Sequence, residues 1–119
     1  MILVDTSVWV VHLQGGDPQL VGLREQSTVV RHPVVVGAIA CGSLRDRLST
    51  LQLLRDLPAA TVADSDEVLR CIGRHDLHGK GTGSVDVHLL ASAALTDGAT
   101  IWTRDKKLRS VAETLGRAF

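Results

Sequence analysis

Ile2-Leu3-Val4-Asp5-Thr6-Ser7-Val8-Trp9 is the stretch that decides the fold. An unbroken apolar run of this length suits a strand buried on both faces, as in a parallel sheet. The run stops at Asp5-Thr6-Ser7, residue types that favour helix N-caps. Val8 to Leu13 then continues as a short helix halted by Gly15-Gly16. A strand passing directly into a helix is the opening unit of an α/β layered architecture.

Outward from this unit the alternation repeats. Asp17-Pro18 opens a second helix that ends near Gln26, with aspartate as cap and proline in the first turn. Thr28-Val29-Val30 favours a strand, and His32-Pro33 marks the boundary before a mostly apolar helix over 34–44. Leu48, Leu51, Leu54 and Leu57 carry helical spacing through 45–57, up to Pro58. Thr61-Val62 predicts a short strand, and Asp64 or Ser65 caps a helix to about Arg74. The glycine-rich run His78-Gly79-Lys80-Gly81-Thr82-Gly83 is a loop by composition. Ser84 caps a long helix, Val85 to Leu95, which Asp97-Gly98 breaks. Thr100 to Thr103 predicts a strand, Asp105 starts a last helix to about Leu115, and Ala118-Phe119 suits a terminal edge strand. The expectation is an α/β fold with a mainly parallel sheet, forming one domain over 1–119 without repeats or linkers.

Composition narrows the function. Hydrophobic residues make up 45% and charged residues 22% of the 119, the balance of a folded globular chain. Thirteen basic residues oppose 13 acidic ones, which excludes a general polycation but not a locally charged groove. Trp9, Trp102 and Phe119 are the only aromatics, too few for a base-stacking platform. No apolar stretch approaches the ~20 residues of a membrane span. The N-terminus lacks a basic n-region and carries Asp5, so no signal peptide is expected, and the cytoplasm is the expected compartment. Cys41 and Cys71 are expected to be buried thiols rather than a disulfide or metal site, and neither CxxC nor HxxxH occurs to hold zinc.

The chemistry lies in carboxylates at special places. Asp5 ends the first strand, and Asp105 follows the strand at Thr100–Thr103 after one residue. In open parallel sheets, ligands bind beyond the carboxyl ends of strands. Asp86 stands in the first turn of the helix after the glycine loop, where the helix dipole tolerates an anion. Carboxylates gathered together raise each other's pKa unless a cation relieves them. Magnesium or manganese takes oxygen ligands and supports hydrolysis of a phosphodiester. Each aspartate also has a plainer role as cap or dipole complement, strongest for Asp105 and weakest for Asp5. Thr6, Ser7 and Thr103 flank the acids, placed equally to orient a carboxylate or to cap a helix.

Other features carry less. Lys80 is followed by glycine and no strand precedes the loop, so the P-loop pattern fails. No two of the five histidines stand at metal-ligand spacing. Arg74, His75, His78 and Lys80 are placed to face a substrate or simply to be solvated. The C-terminal stretch Arg104, Lys106, Lys107, Arg109 and Arg117 carries five positive charges against Asp105 and Glu113, which suits either an exposed helix face or the steering of RNA phosphates.

Taken in order, these motifs resemble the PIN-domain ribonucleases, specifically the VapC-type toxins of bacterial toxin–antitoxin pairs. Ile2 to Trp9 is similar to the family's first motif, His78-Gly79-Lys80-Gly81 through Val85-Asp86-Val87-His88 to the third, and Ile101-Trp102-Thr103-Arg104-Asp105 to the fourth. The second motif departs: in Gly37-Ala38-Ile39-Ala40-Cys41-Gly42, Ala38 stands where the family has glutamate. A lone alanine in an otherwise matching motif is what inactivation of a toxic nuclease leaves behind, whether inherited or introduced. The resemblance implies a three-layer α/β/α fold and a Mg2+- or Mn2+-dependent endoribonuclease. Asp5, Asp86 and Asp105 would hold the metal, and one carboxylate would be lost at Ala38. It further implies an RNA substrate, an antitoxin that covers the site, and a homodimer. The apolar faces of Val8–Leu13 and Leu44–Leu57 are the candidate contact surfaces, with core packing as the plainer role of both. Two rival readings remain at this stage. One is a catalytically dead module that binds antitoxin. The other is an aspartate phosphoacceptor domain, disfavoured by Ser7 where a second aspartate is needed and by the absence of an acidic pair.

Overall fold

The computed structural model describes residues 1–119 as seven helices around a parallel sheet. Strand β1 (Ile2–Val4) lies at the centre, between β2 (Val29–Val30) and β3 (Thr100–Trp102). Both neighbours run parallel to it, with Leu3 opposite Val30 on one side and Ile101 on the other. Single parallel bridges widen the sheet, Arg31 to Ala59 beyond β2 and Ile101 to Ala118 beyond β3. All three residues of β1 are buried, as a central strand covered on both faces requires. The arrangement is the mixed α/β class expected, consistent with helix layers on both sides of a parallel sheet.

Local chemistry explains most helix boundaries. Helix α1 (Thr6–Gly15) begins directly after Asp5, and α2 (Pro18–Glu25) starts with proline behind the Asp17 cap. Helix α3 (Pro33–Ala40) is capped by the His32 ring, and α4 (Arg47–Asp56) follows a short loop. Helix α5 (Ser65–Arg74) opens with a reciprocal box, in which Asp64 accepts from the Glu67 amide and Glu67 from the Asp64 amide. Helix α6 (Ser84–Leu95) is largely buried, and α7 (Lys106–Thr114) is capped by Asp105. One core of 24 buried residues joins the layers, with Leu3, Trp9, Leu89 and Leu108 among the largest fully covered side chains. No helix is long and apolar enough to cross a membrane.

Several expected boundaries move. Thr61-Val62 is not a strand. Ala59 takes the place beside Arg31, because its neighbours in space, not its β propensity, select the pairing segment. Helix α3 ends at Ala40 rather than 44, and α4 starts only at Arg47. Ser84 is the first residue of α6 rather than its cap; Gly83 holds the cap position. The two apolar faces also divide: Val8 and Leu54 belong to the core, while Val10, Val11, Leu13 and Leu48 stay exposed. Cys41 and Cys71 are free thiols; Cys41 is exposed rather than buried.

Candidate active site

Asp5 is the first residue beyond β1, and its N–H donates to the Trp102 carbonyl at 2.9 Å. It occupies the N-cap position of α1, yet its side chain caps nothing. Instead, Oδ2 accepts the hydroxyls of Ser7 at 2.7 Å and Thr103 at 2.8 Å. A carboxyl group only 9% exposed needs hydrogen-bond partners in place of the water it has lost. Both donors converge on one oxygen, so Oδ1 keeps its acceptor capacity for something outside the fold.

The same hydroxyls tie Asp105 to Asp5. The Asp105 N–H donates to Thr103 Oγ1 and the Arg104 N–H to Ser7 Oγ, each at 3.0 Å. Ser7 and Thr103, 96 positions apart, lie 3.3 Å from each other. The segment leaving β3 is therefore stitched to the first turn of α1. Asp105 caps α7: Oδ1 accepts from the Leu108 N–H at 2.9 Å, and its other oxygen is not used by the cap. No hydrogen bond joins the Thr6 side chain to this cluster.

Asp86 reaches the group from the first turn of α6. Burial pushes its pKa up, and the charges of Asp105 and then Asp5 push it further, against the Gly83 backbone amide. The three carboxylates thus share one field and repel. They do not close into a compact ligand cage with three protein donors. A hard divalent ion held there would keep several waters and take one or two of these carboxylates directly. The donors are all oxygens, the ligand type of magnesium and manganese. Nearby, Thr82 Oγ1, just before α6, is buried without a hydrogen-bond partner. No sequence motif marks Thr82, since its burial comes from the folded loop.

Ala38 is not among these residues. It lies exposed on α3 and lines a groove with Val10, Leu13 and Gln14, whose only carboxylate is Asp46. Its methyl offers no donor or acceptor. The basic residues also divide. Arg104 sits 3.9 Å from Asp17, Arg109 pairs with Glu113 at 2.9 Å, and His78 lies 3.1 Å from Asp76. Lys106 and Lys107 have no such partner.

Comparison with known proteins converges on one family. The model of the PIN domain matches residues 2–114. Ribonuclease VapC32 of Mycobacterium tuberculosis, strain CDC 1551 / Oshkosh, is 47% identical over 119 residues, covering all of this chain and 96% of that protein. The same protein from strain H37Rv matches equally.

Proposed function

The chain belongs to the PIN-domain family, and from that premise we propose that it is the endoribonuclease toxin of a toxin–antitoxin pair, hydrolysing RNA phosphodiesters. The observation that carries this reading is Asp5: a buried carboxylate at a strand end that caps no helix and keeps one oxygen open. Asp5, Asp86 and Asp105 would hold a magnesium or manganese ion. When bound, such an ion polarises the phosphoryl oxygens and makes water a better nucleophile.

The chain's own residues prepare that chemistry. Ser7 and Thr103 fix the Asp5 carboxylate in one orientation before any ligand arrives. Asp105 is fixed by its bond to the Leu108 amide. The repulsion that raises Asp86 is what a cation would relieve. The glycine-rich loop before α6 gives an RNA phosphate room to approach the helix N-terminus. Ala38 stands on α3 outside this cluster, and a glutamate there would add a carboxylate from that helix, which is expected to strengthen metal binding and cleavage. A cytoplasmic antitoxin that covers the acids would keep RNA out. Val10, Val11 and Leu13 on α1 offer an apolar face for a second copy of this single-domain chain.

The test compares RNA cleavage by this chain and by Ala38→Glu, with magnesium and with manganese. Slow, metal-dependent cleavage that rises at least ~10-fold in Ala38→Glu is expected. Equal activity in the two chains would remove the role given to position 38. Absence of metal-dependent cleavage from both would remove the nuclease reading.

A further inference from the structure

A second recess lies along α7, the helix that Asp105 caps. The end of α5, the loop after it and the outer face of α7 enclose a cavity of about 370 Å³. That is within the range of small-molecule pockets, roughly 300–1,000 Å³. Its floor is apolar, formed by Leu77, Val111 and Leu115, and its rim carries Lys80, Lys106 and Lys107. No carboxylate lines it. None of the three lysines forms an ion pair, whereas Arg104 and Arg109 on the same stretch do. A chain with no net charge therefore concentrates unopposed positive charge in one concave place.

The placement relative to the acids is what gives this cavity meaning. Lys106 directly follows Asp105. Lys80 stands on the loop that leads into α6 and Asp86. The Lys107 ammonium lies against that same loop, 3.3 Å from where a side-chain carbon at Gly81 would sit. Gly81 also holds a φ of +74°, so both its backbone and this close approach favour glycine. Acids that gather a cation thus border lysines that need an anion. A strand of linked phosphates satisfies both at once.

We propose that this cavity is a nucleotide subsite, which holds the residue of the RNA strand flanking the scissile phosphodiester. The inference rests on the ribonuclease reading and extends it. The flanking phosphate sits among Lys80, Lys106 and Lys107, and the ribose and base lie on Leu77, Val111 and Leu115. The lining has no Phe, Tyr or Trp, and its one ring is the His75 imidazole, so the base is held mainly by shape and dispersion. Arg104 and Arg109, held by acidic partners, contribute less.

The test is binding of a fluorescent single-stranded oligoribonucleotide in EDTA, across a salt series, so that cleavage does not intrude. Each phosphate contact contributes a slope of about −0.7 in log K against log salt for single strands. The double variant Lys106→Gln, Lys107→Gln is expected to flatten the slope by about 0.7, the share of the one flanking phosphate. Arg55→Gln, which alters a cation in the separate groove between α2 and α4, is expected to leave it unchanged. Ser110→Leu, at an exposed position on the cavity wall, fills the recess without changing charge and is expected to weaken binding several-fold. An unchanged slope in the lysine variant, or unchanged affinity in Ser110→Leu, would overturn the subsite. Wild-type chain that binds RNA while those variants behave like it defeats only the subsite. Wild-type chain that binds no RNA in EDTA, and neither binds nor cleaves it when magnesium or manganese is supplied, defeats the ribonuclease reading with it.

Discussion

Two neighbouring strands of this sheet deliver a polar side chain to the same kind of place, with opposite results. β1 leads into Asp5 and β2 leads, after Arg31, into His32; each residue holds the N-cap position of the following helix. His32 does cap its helix: Nδ1 accepts the Val34 N–H at 3.1 Å. That bond leaves the proton on Nε2, which donates to Ser92 Oγ at 2.9 Å. Ser92 Oγ in turn accepts the Ala63 N–H at 3.0 Å. The ring is 1% exposed, neutral, and has both nitrogens engaged. Asp5 caps nothing and keeps an oxygen open. A buried polar group whose capacity is consumed by the fold holds the fold together. One with capacity left over makes a site.

The largest effect should come from breaking the open network. Asp5→Asn, made in the Ala38→Glu background so that activity is measurable, is expected to lower RNA cleavage by about 100-fold or more. The amide oxygen can still accept from Ser7 and Thr103, so the urea midpoint should barely move. An unfolded variant would show that Asp5 belongs with His32 as a structural group. His32→Ala should do the reverse. It deletes a buried ring, strands the Val34 amide and removes a partner of Ser92, at a cost of about 2–4 kcal/mol in urea unfolding. Cleavage per folded molecule should be unchanged. Lost activity at full stability would reverse the assignment of the two regions.

The contrast also explains what the sequence made legible. β1, α1 and the Asp17, Asp64 and Asp105 caps were readable because their signals lie within a few residues of each other. Asp5 was readable as a candidate because a carboxylate ending an apolar strand is unusual there. That its side chain caps no helix and instead accepts from Thr103, 98 positions away, shows only in the fold. The same limit hid the role of His32. Locally it marked only the boundary before Pro33, since its partner Ser92 stands 60 residues further on. Thr61-Val62 failed for a related reason: a segment joins a sheet edge when the fold lays it there, and Ala59 was laid there instead. The lysine-rimmed cavity joins α7 to a loop some 25 residues earlier, and no run of sequence shows a concavity.

The smallest effect separates the two regions by pH. Burial, and then the nearby His88, hold His32 below the ordinary histidine pKa. The unfolded chain has no such constraint and titrates near ~6.5. As pH falls through that value, the unfolded state takes up the proton first, because a second proton on the ring would displace the Val34 amide from Nδ1. Stability contributed by the neutral ring is thus complete above about pH 6.5 and is lost as pH falls toward the folded-state pKa. A single proton limits the slope to about 1.4 kcal/mol per pH unit. His12 is also held low, by burial and by Arg24 against the pull of Asp17, and adds a slope of the same sign. Urea midpoints of wild type and His32→Asn from pH 7.5 to 5 should isolate the two. Asparagine suits an N-cap and does not titrate, so the variant should keep the shallower His12 slope and lose the rest. Parallel curves for the two chains would mean that His32 is not held neutral. The distinction between a consumed network and an open one would then have to rest on Asp5 alone.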